Sequence, residues 1–346
     1  MIGYACKWVS ALPDAKARLQ EEKEYNGSYT TARWCETRAI DEVRSRLLAL
    51  ARLNVSGMHR FVTHAASRPP EGRMIRFGSG ILPLYTHPTH RDWWMSAEIQ
   101  SELQSWFRVV GDDIKRHHIK TSWHPDHFVV MASESEVIRD RSREELEYHG
   151  RMVEMLGLTD WPLQSKINIH LSGKLGGEQF LIEYDKLNDI TRQNVTVENS
   201  DVGRYGINES IALARVPLVL DVHHHWCMTG EYLTPDHAIW DQVRRTWRHA
   251  PTDPTIHFAM SKRELLDDEM PDRDLLFAAG QNVTTLRAHS DDFDHVAMID
   301  YMKTWAPVAH IMLECKLKNQ AQARVLREIA PEFILKSVDI ISQHII

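Results

Sequence analysis

Residues 217–226 read P-L-V-L-D-V-H-H-H-W: an apolar run followed at once by Asp221, His223, His224 and His225. A strand buried on both faces of a parallel sheet reads as a continuous apolar run. Where such a strand ends, its last side chains point into the crevice at the carboxyl edge of the sheet. Asp221 and His224 are three residues apart, a spacing that suits two ligands of one metal cluster. A single histidine in a turn is ordinarily a satisfied surface residue. Three in a row behind an aspartate at a strand end favour metal binding instead, because imidazole and carboxylate together are the usual ligands of borderline and hard divalent ions.

Other strand-like segments end in the same way. Residues 119–123 run into His124, 166–171 contain His170, 195–197 run into Glu198, 255–258 contain His257, and 309–313 run into Glu314. His289 lies in the long stretch between the last two and is expected to fold back over the rim. Any one of these could be a core histidine or a surface acid. Gathered in one place, the carboxylates need compensation, since burying unpaired charge is expensive. Two or three divalent ions supply it, with Glu198 placed as a bridge. Oxygen and nitrogen ligands without thiolate fit manganese or zinc. Clusters of this kind activate water and stabilise both oxygens in phosphodiester hydrolysis.

The elements that must position these residues are eight short strands, at 2–6, 74–77, 119–123, 166–171, 195–197, 217–221, 255–258 and 309–313, most of them separated by helical stretches. Alternation of this kind means parallel pairing with helical crossovers. Eight units close naturally into an α/β (β/α)8 TIM barrel, whose site lies at the carboxyl ends of the strands. One domain over 1–346 is the simplest reading, with 317–346 a C-terminal helical tail. Residues 37–66 have helical spacing with a break expected near Gly57. Residues 96–117 and 135–156 are helices, the second facing inward through Val137, Leu146, Met152, Val153 and Leu156. Residues 9–30 read as a polar, irregular loop.

Hydrophobic residues are 43% and charged residues 26% of the chain, a globular composition rather than a disordered one. No apolar run approaches the roughly 20 residues that span a bilayer, and the N-terminus lacks the profile of a signal peptide. Cys6, Cys35, Cys227 and Cys315 form no C-x-x-C pair and read as free thiols of a reducing compartment, so a cytoplasmic protein is expected. The net charge of −7 argues weakly against nucleic acid, but bound cations and 20 histidines are outside that sum. Arg76, at a strand end before Gly78-Ser79-Gly80, is the best phosphate candidate. Trp93, Trp94 and Trp106 have the spacing of core residues.

The ordered set of segments resembles the UV damage endonucleases, repair enzymes with the barrel of the endonuclease IV-type AP endonucleases. The segments are I-G-Y (2–4), R-F-G-S-G-I-L-P (76–83), W-H-P-D-H-F-V (123–129), I-N-I-H-L-S-G (167–173), V-T-V-E-N (195–199), L-V-L-D-V-H-H-H (218–225), I-H-F-A (256–259) and M-L-E-C-K (312–316). The resemblance implies a DNA repair hydrolase that nicks damaged double-stranded DNA 5′ of UV photoproducts, leaves a 3′-hydroxyl, and uses divalent ions, manganese by preference. It implies metal ligands at His124, His170, Glu198, Asp221, His224, His257, His289 and Glu314. Lys316 matches a lysine after the last ligand, and Tyr4 a tyrosine near the damaged site; with Glu198 and His257 they form the expected catalytic set. His127 and Phe128 stand where the family carries a Gln-Tyr damage probe. Thr255 replaces a family lysine, and Gly80 a histidine ligand of some members. A monomer is expected. An AP endonuclease, a sugar isomerase or epimerase, and a binding barrel without catalysis are the competing readings.

Overall fold

The structure is a computed structural model and describes residues 1–125, 128–201, 203–213, 215–330 and 332. Eight parallel strands close into a barrel in sequence order: β1 (Ile2–Tyr4), β2 (Met74–Gly78), β3 (Lys120–His124), β4 (Ser165–His170), β5 (Val195–Glu198), β6 (Leu218–Asp221), β7 (Thr255–Phe258) and β8 (His310–Leu313), with β8 pairing back onto β1. All eight expected strands are present, within two residues at each end.

Between β1 and β2 run α1 (Ala15–Asn26), α2 (Ala32–Glu36) and α3 (Ile40–Ala66). Between β2 and β4 lie α4 (Pro88–Trp94), α5 (Ala97–Arg116) and α6 (Glu136–Met155). Then follow α7 (Gly176–Asp185), α8 (Asp189–Asn194), α9 (Ile207–Ile211), α10 (Val222–Thr229) and α11 (Ala238–Thr246). The last helices are α12 (Arg273–Ala278), α13 (Val283–Leu286), α14 (Val296–Trp305) and α15 (Asn319–Glu328). No helix among the described residues is long and apolar enough to cross a membrane.

Side chains alternate along each strand. Phe77, Trp123, Ile169, Val197, Leu220, Ile256 and Leu313 face outward into one continuous core with the helices. The intervening positions fill the barrel. Leu103, Phe107 and Val110 anchor α5 as its periodicity requires, and Trp94 is fully buried while Trp93 and Trp106 pack against the core.

Three expectations fail. Residues 9–30 are not all loop: Asp14 caps α1 by accepting from the Ala17 amide (2.7 Å). No residue of α1 is buried, so it carries no apolar stripe to read. It packs on α3, and Gly57 is why: a Cβ there would lie 2.3 Å from the Tyr25 carbonyl oxygen. Gly57 therefore permits close helix packing and α3 runs through it unbroken. On α6, Val137 is exposed together with Ile138, and the buried face of the helix begins only at Ser142. The C-terminal tail is helical over α15, and 333–346 lie outside the described residues.

Candidate metal centre

Strand parity gathers the polar ends. Arg76, His124, His170, Glu198, Asp221 and His257 occupy inward positions, and Glu314 continues β8. Register sets them level: Gly78 pairs with His124, His170 with Glu198, and Asp221 with His257. Two donor triads result, His124–His170–Glu198 and Glu198–Asp221–His257. Each offers ligand atoms within 4.8 Å of one another, and they share Glu198.

The carboxylate of Glu198 is held from several sides. His224 Nδ1 lies 3.2 Å from its Oε1 and His257 Nδ1 3.0 Å from its Oε2. Asn168 Nδ2 donates to Oε2 (2.5 Å), and Thr196 Oγ1 fixes that amide by donating to Asn168 Oδ1 (2.8 Å). Asn168 was legible from alternation, two residues before His170 on the same face, but only its neighbours give it a purpose.

Asp221 ends β6 and caps α10, its side chain accepting from the His224 amide (2.8 Å). The three-residue spacing thus becomes the first turn of a helix. Successive residues there point about 100° apart, so the three histidines part company. His224 Nδ1 faces the Asn199 carbonyl (2.9 Å); a carbonyl only accepts, so Nδ1 carries the proton and Nε2 is left as ligand atom. His223 stacks on Trp226 and bonds the Leu286 carbonyl, and His225 turns to Glu231. Asn199 also joins the two strand ends, donating to the Asp221 carbonyl (2.9 Å) and accepting from its amide (2.8 Å).

His289 does fold over the rim. Its backbone bridges Ser261, Ser290 bonds the Met260 carbonyl, and Lys316 bonds the Ser290 carbonyl. Its ring lies 6.5 Å from that of His224, and its Nδ1 3.9 Å from Glu314 Oε2. His224, His289 and Glu314 flank the triads without joining them.

The residues present fit divalent ions. Glu198, Asp221 and Glu314 crowd together, and the first two are almost fully buried. Asp221 Oδ2 and His257 Nδ1 are buried without a hydrogen bond. His257 Nδ1 approaches Glu198 and Glu314 (3.0 and 3.1 Å) at angles that are not those of a hydrogen bond. Donors that converge without bonding one another leave room for a shared cation. Charge compensation falls meanwhile on the imidazoles. Burial works against the His257 cation, but Glu198 and Glu314 raise its pKa to about 9. Burial likewise opposes the Glu198 carboxylate, and His257 and His170 hold it well below the ordinary range. Asp221 is raised by burial and by its two carboxylate neighbours, against the pull of His224. Burial and then Arg76 lower His124 to about 4, ready to ligate as neutral imidazole.

Three expected residues stand elsewhere. Arg76 is no free phosphate ligand: it is 7% exposed, its Nη1 donates to Glu314 Oε1 (2.5 Å), and it lies 3.5 Å from His257 Nε2. Tyr4 has the parity of Ile2 and faces the helices; it is 1% exposed, packed on Phe61 and 3.2 Å from His64 Nδ1. Lys316 is exposed and pairs with Asp291 (2.7 Å), outside the mouth. A second lysine, Lys318, was not singled out by the sequence. It is half-buried with φ 46°, and its ammonium, lowered by burial, feels Glu314, Arg76 and Cys6. His127 lies outside the described residues; Phe128 is described and is 55% exposed, not tucked into the rim. Thr255 is buried below His257.

The centre opens into a hollow of about 890 Å³. Cys6, Lys7, Tyr25, Tyr29 and Asn54 wall one side, and Asp201 and Arg287, themselves an ion pair, stand on the other. A second hollow of about 760 Å³, on the outer flank among α4, α6 and α8, contains neither triad.

A UV DNA damage endonuclease of Bacillus velezensis is 24% identical over 300 residues, covering 84% of each chain. One of Bacillus pumilus is 26% identical over 314 residues, covering 88% of each. Among solved structures, that of SacUVDE superposes with a TM-score of 0.72 at 20% identity, covering 94% of this chain and 96% of the other. Endonuclease IV from Thermus thermophilus reaches 0.51 at 14% identity, covering 79% and 92%. These likenesses in shape show a common barrel. The family model described as UV-endonuclease UvdE matches residues 1–343, nearly the whole length, and the chain therefore belongs to that family.

Proposed function

We propose that the protein is a metal-dependent endonuclease that nicks damaged double-stranded DNA immediately 5′ of UV photoproducts and other lesions and leaves a 3′-hydroxyl. The observation that carries this reading is Glu198, one carboxylate shared by two donor triads at the open end of the barrel. His124, His170 and Glu198 would hold one ion and Glu198, Asp221 and His257 a second, with His224, His289 and Glu314 completing a third position. Manganese suits this oxygen and nitrogen donor set, with zinc as its competitor. When bound, such ions supply charge stabilisation at the scissile phosphate and a water acidic enough to attack at neutral pH.

The chain's own groups do the rest. Asn168 and Thr196 keep the Glu198 carboxylate turned toward both triads, and Asn199 sets the His224 tautomer. Arg76 holds Glu314 ionised. Phe128, exposed on the segment after β3, is presented to stack where a lesion has weakened the duplex, and His127 precedes it in the sequence. The protein acts as a monomer on intracellular DNA.

The test is a labelled duplex carrying one photoproduct. Cutting is expected with manganese, lost with chelator, and the nicked strand is extended by a DNA polymerase only if it ends in a 3′-hydroxyl. Cutting of an abasic duplex with none at the photoproduct would make the protein an AP endonuclease. Ketose epimerisation without any nicking would make it a sugar enzyme.

A further inference from the structure

Tyr29 is 79% exposed, more than any other large hydrophobic side chain described, and it stands on the rim of the metal mouth. A ring so exposed on a slack loop would mean little. This loop is held at both ends. Gly27 has φ +70°, and a Cβ there would meet Asn54 Oδ1 at 2.1 Å. Asn54 Oδ1 accepts from the Ser28 amide (2.8 Å), while its Nδ2 donates to the carbonyls of Ser28 (3.0 Å), Gly80 (3.1 Å) and Ile81 (3.0 Å). One amide, 4% exposed, therefore ties the loop that carries Tyr29 to the loop after β2, and both line the mouth. On the other side Thr31 caps α2 by accepting from the Trp34 amide (3.2 Å).

The ring also divides two hollows. One is the metal mouth. The other, about 350 Å³, is lined by Thr30, Thr31, Trp34 and Arg46. An exposed aromatic on a tethered loop, with a metal centre on one side and a cation with two hydroxyls on the other, matches a nucleic-acid strand, whose bases offer a π-face and whose phosphates recur at short intervals.

We propose that Tyr29 is a second stacking residue for the damaged duplex: its ring packs on a nucleobase from the α1–α2 side of the mouth, and the adjoining phosphate enters the hollow beside Arg46. The proposal rests on the reading that the substrate is DNA. It makes Asn54 a positioning residue and gives the segment between β1 and α3 a task in recognition.

The experiment uses the full chain and a fluorescent duplex with one photoproduct, with calcium replacing manganese to suppress cutting. Tyr29→Ala is expected to weaken binding about ten-fold, within the range of one lost aromatic stack, and Tyr29→Phe to bind like wild type. The melting temperature should not move in either, since the ring buries almost nothing. Arg46→Ala should lower the slope of log affinity against log salt by about one. Tyr29→Ala binding as tightly as wild type overturns this proposal alone. Wild-type protein that fails to bind the duplex overturns it together with the reading of DNA as substrate.

Discussion

At the scale of single residues, Glu198 and the two C-terminal lysines give the sharpest expectations. Glu198→Gln keeps the shape of the side chain and an oxygen for Asn168, but it removes the anionic oxygen that the second triad needs. Nicking should fall by about 100-fold or more, with a melting temperature near that of wild type. A rate close to wild type would show that the shared carboxylate is not the centre. For the lysines the surroundings differ. Lys316→Ala, which breaks only an exposed pair with Asp291, should leave nicking nearly unchanged. Lys318→Ala removes a half-buried cation that feels Glu314 and Arg76, and should slow nicking by about ten-fold or more. Equal effects from the two variants would refute the assignment.

At the scale of elements, the two ends of the strands are polar for opposite reasons. The carboxyl ends gather acids and imidazoles. The amino ends bury lysines: Lys120 at the start of β3 donates to the Leu163 carbonyl (3.0 Å) and Thr252 Oγ1 (2.7 Å), and Lys166 on β4 donates to the Gln193 carbonyl (2.9 Å). Burial lowers both from the usual 10.5 to about 7, with Asp253 pulling Lys120 back and Lys120 pushing Lys166 further down. Between about 7 and 10.5 the unfolded chain then binds more protons than the folded one at these sites. Stability should therefore rise with pH across that window and level off below it, where both states are charged. Urea denaturation at pH 7 to 9.5 reads this directly, and Lys166→Met should flatten the rise. An identical pH slope in wild type and variant would show that Lys166 is charged to the same extent in both states.

At the scale of the whole molecule, the barrel concentrates acidic groups at one face of a chain whose net charge is already −7. Folding without ions must hold Glu198, Asp221 and Glu314 together against their repulsion, so cation binding is linked to folding. At manganese near 100 times its dissociation constant, binding adds about 2.7 kcal/mol, or a rise of about 4 °C in melting temperature for a chain of this size. Chelator should reverse it. Differential scanning calorimetry with and without manganese checks this, and an unchanged melting temperature would mean that the triads do not hold ions. The same ions would bring positive charge to the face proposed for DNA, which would let an acidic protein bind a polyanion.

What the sequence determined by itself was the barrel and the polar strand ends. A buried parallel strand is written locally, as a short apolar run, and alternation then says which of its residues point inward; His170, Glu198, Asp221 and His257 could be placed that way because the signal needs only a few neighbours. Parity in Ile2-Gly3-Tyr4 also held the outward direction of Tyr4, masked by the attraction of a tyrosine beside a site. Tertiary structure alone decided the rest. Helix α1 has no apolar face, and it is seated where Gly57 lets it approach α3. Lys318 rather than Lys316 is half-buried and feels Glu314, and Arg76 meets Glu314 from 238 positions away. The loop that carries Tyr29 is tied at Ser28 by an asparagine amide 26 residues further along, which also grips the loop after β2. Side chains on strands inherit their direction from a two-residue repeat, whereas those on connecting segments take theirs from partners that only the closed barrel brings within reach.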